Sequence, residues 1–229
     1  MISPMVTELK QVKLETLRAQ VENTLRQAII SGELSPGEKL IERELCEMLG
    51  VSRQSLREAM RKLEAEKLIV IVPHRGPEVA SMTIEQAREL YALRQLLESF
   101  AAQEFTIHAS DSQVKDLIKT VKRLRDAVKR NDSEGVLEAK AEFYGILLGG
   151  CGNSLVSEVL GGLLSRVSLL RATSLMLEDR LPQSLKEIEA LVACIKARDP
   201  EGARAISFEH VSNAQKAALG VLEYQLGVS

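Results

Sequence analysis

The chain has 229 residues, with 30 Lys and Arg against 32 Asp and Glu, a formal charge of −2 and no Trp. That length accommodates two modest domains, and the near-neutral balance argues against non-specific polyanion binding as the main activity. Cys46, Cys151 and Cys194 stand far apart with no CxxC or Cys/His cluster, the N-terminus lacks the basic-then-apolar order of a signal peptide, and no run reaches the ~18 apolar residues of a membrane span. A disulfide framework, a zinc finger and a membrane partner are therefore not indicated, and a soluble cytoplasmic protein is expected.

In chain order, the first informative element is Glu42 to Leu49, which places Leu45, Met48 and Leu49 on one helical face and is followed by Gly50, a residue suited to the left-handed end of a helix. Val51 seals a tight turn and Ser52 is a favoured N-cap. A second helix then carries the apolar stripe Leu56, Ala59, Met60 and Leu63, leaving Arg53, Gln54, Ser55, Arg57 and Arg61 outward. Residues 1–80 hold equal numbers of basic and acidic side chains, but Ser52 to Lys62 contains Arg53, Arg57, Arg61 and Lys62 against Glu58 alone. The positive charge is thus local to one helix, as specific rather than bulk electrostatic recognition requires. Leu68 to Val72 is a β-branched strand stopped by Pro73. Pro73 to Pro77 forms a turn and Glu78 to Ala80 the returning arm, with His74 and Arg75 at the tip. Helix, turn, helix and ribbon make a winged helix-turn-helix. Its second helix enters the major groove N-terminus first, so double-stranded operator DNA is the expected partner.

From Thr83 onward the pattern is helical: Ile84 to Ala109, Ser112 to Arg130, Ser133 to Leu148, Ser154 to Leu177, Pro182 to Arg198 and Pro200 to Leu226, separated by Asp, Asn, Ser, Gly and Pro clusters. The expected fold is mainly α: a winged helix-turn-helix over residues 1–80, then an all-α antiparallel helical bundle over residues 81–229.

Ser31 to Leu40, Glu44-Leu45, Val51-Ser52-Arg53, Leu56-Arg57-Glu58-Ala59 and Arg75-Gly76 resemble the N-terminal domain of GntR-type transcription regulators. Lys67 departs from that pattern, standing where such domains usually have Gly before the first wing strand. The bundle, with Leu90-Tyr91 and Arg94, Phe143 ahead of Gly152 to Leu155, and Ile195 to Asp199 leading to Ala203 and His210, resembles the ligand-sensing FCD domain of the FadR-type subfamily. The resemblance implies DNA contacts by Arg43, Ser52, Arg53, Gln54, Ser55, Arg57, His74, Arg75 and Gly76, with Gln54 reading bases and Arg43 and Arg57 holding phosphates. It further implies that residues 81–229 serve effector binding and dimerisation, in a homodimer that acts on a palindromic operator as a metabolite-responsive repressor.

Many FCD domains hold a divalent metal through an Asp, a His one turn later and two more His. At the matching positions this chain has Lys140, Tyr144, Ile188 and His210, so no inherited metal centre and no cofactor are expected. Lys140 and Tyr144 fall on the inward stripe of their helix. Arg94, Lys140, Tyr144, Arg171 and His210 are therefore candidates for binding a small anionic metabolite. The other reading is an internal salt bridge, Lys140 with Glu98 or Glu178, beside a hydrogen-bonded core histidine. A DNA-binding architectural protein without an effector stays open as an alternative. An enzyme is the remote one, since no catalytic triad, carboxylate pair or phosphate loop emerges.

Overall fold

The computed structural model describes residues 17–174 and 180–227. Its N-terminal unit contains α1 (Leu17–Ser31), α2 (Glu42–Leu49), α3 (Arg53–Ala65), β1 (Ile69–Val72) and β2 (Gly76–Val79). Gly50 ends α2 in the left-handed conformation, φ 65°, with its N–H donating to the Cys46 carbonyl. The Ser52 hydroxyl then accepts from the Ser55 N–H at 3.2 Å and starts α3. The α3 stripe Leu56, Ala59, Met60 and Leu63 is buried as the sequence indicates, against Val21, Leu25 and Ile29 of α1 and Leu68 and Ile69 at the wing.

Two local expectations change. Met48 is 76% exposed, because the two-turn α2 buries only Leu45 and Met48 falls off the edge of that contact. The second wing strand begins at Gly76 rather than Glu78: Arg75 N–H closes the turn on the Val72 carbonyl, and Gly76, at φ 90°, pairs with Val72. Pro77 is tolerated there because it sits in a two-stranded ribbon and offers its carbonyl to the Leu40 N–H. Lys67 takes φ 62°, the left-handed conformation that glycine adopts freely, so the local backbone is kept despite the unfavourable side chain.

The C-terminal unit is all-helical: α4 (Ile84–His108), α5 (Asp111–Lys129), α6 (Ser133–Gly150), α7 (Ser154–Ser174), α8 (Arg180–Lys196) and α9 (Pro200–Leu226). Thr83 with Gln86, and Ser110 with Gln113, form reciprocal capping boxes, while Asp132 and Asp199 cap α6 and α9. α8 starts two residues earlier than expected, since Pro182 occupies its first turn, where a missing N–H costs no helical bond. Phe105, Leu117, Leu124, Phe143, Leu147, Ile188 and Ile195 fill the main core. A second cluster joins Leu90 and Tyr91 of α4, Val167 and Leu170 of α7 and Val211 and Ala218 of α9, and Met82 of the linker is packed into it. α1 touches α7, so the N-terminal unit rests on the bundle.

Gly150 tests the tightness of the main core. A Cβ there would lie 2.5 Å from the Phe105 ring, whereas one at Gly145, on the outer face of the same helix, meets nothing within 4 Å. Gly150→Ala is expected to destabilise by about 1–3 kcal/mol through overpacking. Gly145→Ala should instead stabilise by roughly 0.5–1 kcal/mol by removing a helical glycine. Urea denaturation of both variants measures the difference.

Candidate nucleic-acid interface and buried polar centre

The residues assigned to DNA lie on the outer side of α3, at the start of α2 and in the wing. Arg43, Ser52, Arg53, Gln54, Arg57, His74 and Arg75 are exposed, and Ser55 and Gly76 are partly exposed. The Ser52 and Ser55 hydroxyls lie 3.0 Å apart, and Gln54 reaches Glu58 at 3.4 Å, a contact weak enough to leave its amide available. Arg57 is held more firmly. Its Nε donates to both carboxylate oxygens of Glu42 at 2.9 and 3.0 Å, and its Nη2 lies 2.9 Å from Glu42. This ion pair crosses from α3 to the first turn of α2 and keeps the Arg57 guanidinium above its ordinary pKa. Arg43 only grazes Glu44, at 4.0 Å. At the wing, Arg75 is exposed and its Nε lies 3.2 Å from Oε1 of the buried Glu78, without the geometry of a hydrogen bond. His74 at φ 64° forms the tip.

The second set of candidates converges inside the bundle. Arg94 on α4 is buried and pairs with Glu98 one turn later, Nε to Oε1 at 2.7 Å, with its guanidinium 4.8 Å from the centre of the Tyr91 ring. Burial alone would pull this guanidinium down. The Glu98 carboxylate, with Tyr144 and Tyr91, outweighs it and holds the group above its ordinary value. Lys140 on α6 is 5% exposed and donates from Nζ to the Ser184 hydroxyl on α8 at 2.9 Å. His210 on α9 donates Nδ1–H to Glu187 of α8 at 2.5 Å. Glu187 also accepts from Asn213 at 2.9 Å and from the buried Arg180 at 3.2 Å.

These contacts make one electrostatic unit. Burial pushes the His210 imidazole below its ordinary value; the Glu187 contact and Glu98 oppose that, and nearby Lys140 adds to it. Burial would raise Glu187, but His210, Asn213 and Arg180 hold its carboxyl below the usual range. Both shifts favour, near neutral pH, an uncharged imidazole beside an ionised Glu187 carboxylate.

Arg94, Lys140, Tyr144 and His210 are thus brought together, while the Arg171 side chain and Glu178 lie outside the described residues. Of the two carboxylates considered for Lys140, Glu98 pairs with Arg94 on its own helix, and Glu178 lies outside the described residues. Glu187, Ser184 and Arg180 were missed. Their signal was the polar row Arg180, Ser184, Glu187 at helical spacing, interrupting an inner face continued by Leu191 and Ile195. Ile188 is buried among apolar residues, and among the described residues no group of three or more His, Cys, Asp or Glu could hold a metal. A lysine ammonium close enough to depress His210 occupies the region through its charge, so the residues present do not fit a divalent ion.

Comparison with known proteins matches residues 17–79 to "Bacterial regulatory proteins, gntR family" and residues 89–213 to "FCD domain". The chain is similar to the uncharacterized HTH-type transcriptional regulator YdhC of Bacillus subtilis (strain 168), 25% identical over 206 residues, covering 89% of this chain and 92% of that protein. It is likewise similar to the HTH-type transcriptional repressor RspR of Escherichia coli (strain K12), 29% identical over 143 residues, 62% of this chain and 63% of that one. Among solved structures, E. coli McbR/YncC superposes with a TM-score of 0.75 at 23% identity, over 93% of this chain and 100% of that one.

The His210–Glu187 pair sets a pH dependence. A histidine whose folded pKa is depressed takes up its proton more readily in the unfolded chain, so its contribution to stability is present above the unfolded value near 6.5 and is lost on acidification below it. Glu187, also depressed, works in the same direction at lower pH. The melting temperature is expected to fall between pH 7 and pH 5, and His210→Gln should flatten that fall. An equal pH dependence in the variant would remove His210 as its source.

Proposed function

Because the chain belongs to the GntR family of bacterial regulatory proteins, carries its FCD domain and is therefore a DNA-binding transcriptional regulator, we propose that it acts as a homodimeric repressor released by a small anionic metabolite. On this reading residues 1–80 bind operator DNA and residues 81–229 sense and dimerise, a division supported by their separate hydrophobic cores. Gln54, with Ser52, Arg53 and Ser55 at the α3 N-terminus, reads the major groove. Arg43 and Arg57 hold phosphates, and His74, Arg75 and Gly76 of the wing contact the backbone or minor groove. Such a protein works in the cytoplasm as a regulator and not as an enzyme, and no helix among the described residues is long and apolar enough to cross a membrane.

The observation that carries the sensing half is the convergence of Arg94, Lys140 and Arg180 on Tyr144, His210 and Glu187 in an otherwise apolar helical core. Placing charge there is costly, and although Glu98 and Glu187 answer Arg94 and Arg180, an anion entering beside Lys140 would meet positive charge already held in place. Lys140 supplies, as a fixed charge, what a metal supplies in other members. Arg94, Tyr144, His210 and Arg171 complete the proposed ligand set.

A native-state ligand must raise the melting temperature, by about 2.7 kcal/mol of stabilisation at a hundredfold excess over Kd. Titrating the full chain with a panel of small mono- and dicarboxylates is expected to find compounds that stabilise the wild type and lose most of their effect on Lys140→Met. If every active compound shifts both proteins alike, Lys140 is not the anion's anchor.

Dimerisation is proposed through α4. Leu93, Leu96, Phe100 and Ile107 form an exposed apolar stripe along it, and Phe208 of the adjoining α9 is exposed as well. Light scattering of Leu96→Glu should report a monomer while its helical circular dichroism is unchanged; a persisting dimer would place the interface elsewhere.

A further inference from the structure

Glu42, the partner of Arg57, lies on the face expected to meet DNA, where a carboxylate repels phosphates and by simple electrostatics weakens binding. Yet it is committed to one partner. Both its oxygens face Arg57, taking the Nε and Nη2 edge of the guanidinium, and Nη1 is no part of the pair. Glu42 is itself well placed to hold still: it stands in the first turn of α2, whose N-cap, Ile41, has no side-chain cap, so that carboxylates in that turn answer the helix dipole. It is also only partly exposed, while the arginine it grips is mostly in solvent.

We infer that Glu42 is a positioning residue for operator recognition: it fixes the Arg57 guanidinium across the helix-turn-helix so that its free edge meets the DNA in one pose. The inference rests on the DNA-binding reading of this domain. An arginine left to itself gives up much of its rotamer freedom on docking, and one already clamped by a bidentate carboxylate gives up less. The clamp also joins α2 to α3, so the two helices present Arg43 and Arg57 as one unit. The sign of the effect separates this role from plain charge. Removing a carboxylate from a DNA-facing surface strengthens binding if charge alone matters, and weakens specific binding if the carboxylate positions a contact.

The test uses the full chain and a duplex selected from a randomised library by the wild-type protein, with a scrambled duplex of equal length as the non-specific probe. Fluorescence anisotropy is read for Glu42→Ala, Glu42→Gln, Arg57→Ala, the Glu42→Ala/Arg57→Ala double variant, and Glu47→Ala as a charge control on the same helix. Glu42→Ala is expected to weaken the selected duplex about tenfold while leaving the scrambled duplex unchanged or more tightly bound. Glu42→Gln should retain part of the affinity through its remaining acceptor, and Glu47→Ala should lose none. In the Arg57→Ala background, Glu42→Ala should cost nothing further. Melting temperatures identify any variant that fails to fold, and Glu42→Gln then carries the comparison. The inference is overturned if Glu42→Ala or Glu42→Gln binds the selected duplex as tightly as the wild type or better, or if the loss is equal with and without Arg57. Failure of the wild type to select any sequence would instead overturn the DNA-binding reading itself.

Discussion

Burial of charge in the helical bundle is the constraint from which the rest of the C-terminal unit follows. Arg94 and Glu98 are sealed together at the centre of α4, and taking either away would leave its partner charged and desolvated at a cost of about 3–5 kcal/mol. The same centre draws Lys140 and Tyr144 from α6, Arg180, Ser184 and Glu187 from α8, and His210 and Asn213 from α9. Lys140 reaches Ser184, and Glu187 is met by His210 and Asn213 of α9 and by Arg180 two turns earlier on its own helix. Hydrophobic contacts tolerate sliding by a fraction of a turn, whereas these directed contacts do not. Three helices, α6, α8 and α9, are thereby tied together by polar groups, with Leu, Val and Phe supplying most of the apolar burial around them.

The polar centre is also joined to the DNA-binding unit by packed contacts. Arg94 lies over Tyr91, and Tyr91 shares a hydrophobic cluster with Val167 and Leu170 of α7. α7 touches α1, and α1 packs along α3, the helix that carries Gln54 and Arg57. Met82, two residues beyond the N-terminal unit as read from sequence, is itself packed into the α4, α7 and α9 cluster, which ties the connection between the units to the bundle. The proposed ligand, entering among Arg94, Lys140 and His210, would act on DNA through this arrangement only as far as it bound one relative placement of the units better than another.

The N-terminal unit was legible in the sequence because local chemistry determines it. Gly50 and Ser52 each perform at one residue the task that their residue type suits, and the α3 stripe follows one helical period. What was not legible there depended on tertiary contact, as with Met48, whose short helix buries too little for periodicity to decide its fate. The bundle was legible as helices and as capping sites, since Asp, Ser, Thr and Asn mark nearly every start. Its polar centre was only half legible. Arg94, Lys140, Tyr144 and His210 stand out because each breaks an apolar stripe, but which carboxylate answers which cation depends on helix packing that no local pattern encodes. Glu187 in particular stands beside Ile188, the position the family resemblance singles out, and its partner His210 lies on another helix, 23 residues away.

An anion site at the buried polar centre is tested most directly by the crystal structure of the protein with a stabilising carboxylate bound. The carboxylate is expected within hydrogen-bond distance of Lys140 Nζ, with Arg94, Tyr144 or His210 completing its contacts. A ligand seated elsewhere, with Lys140 still on Ser184 and His210 still on Glu187, would show that the charges serve only to hold the helices together.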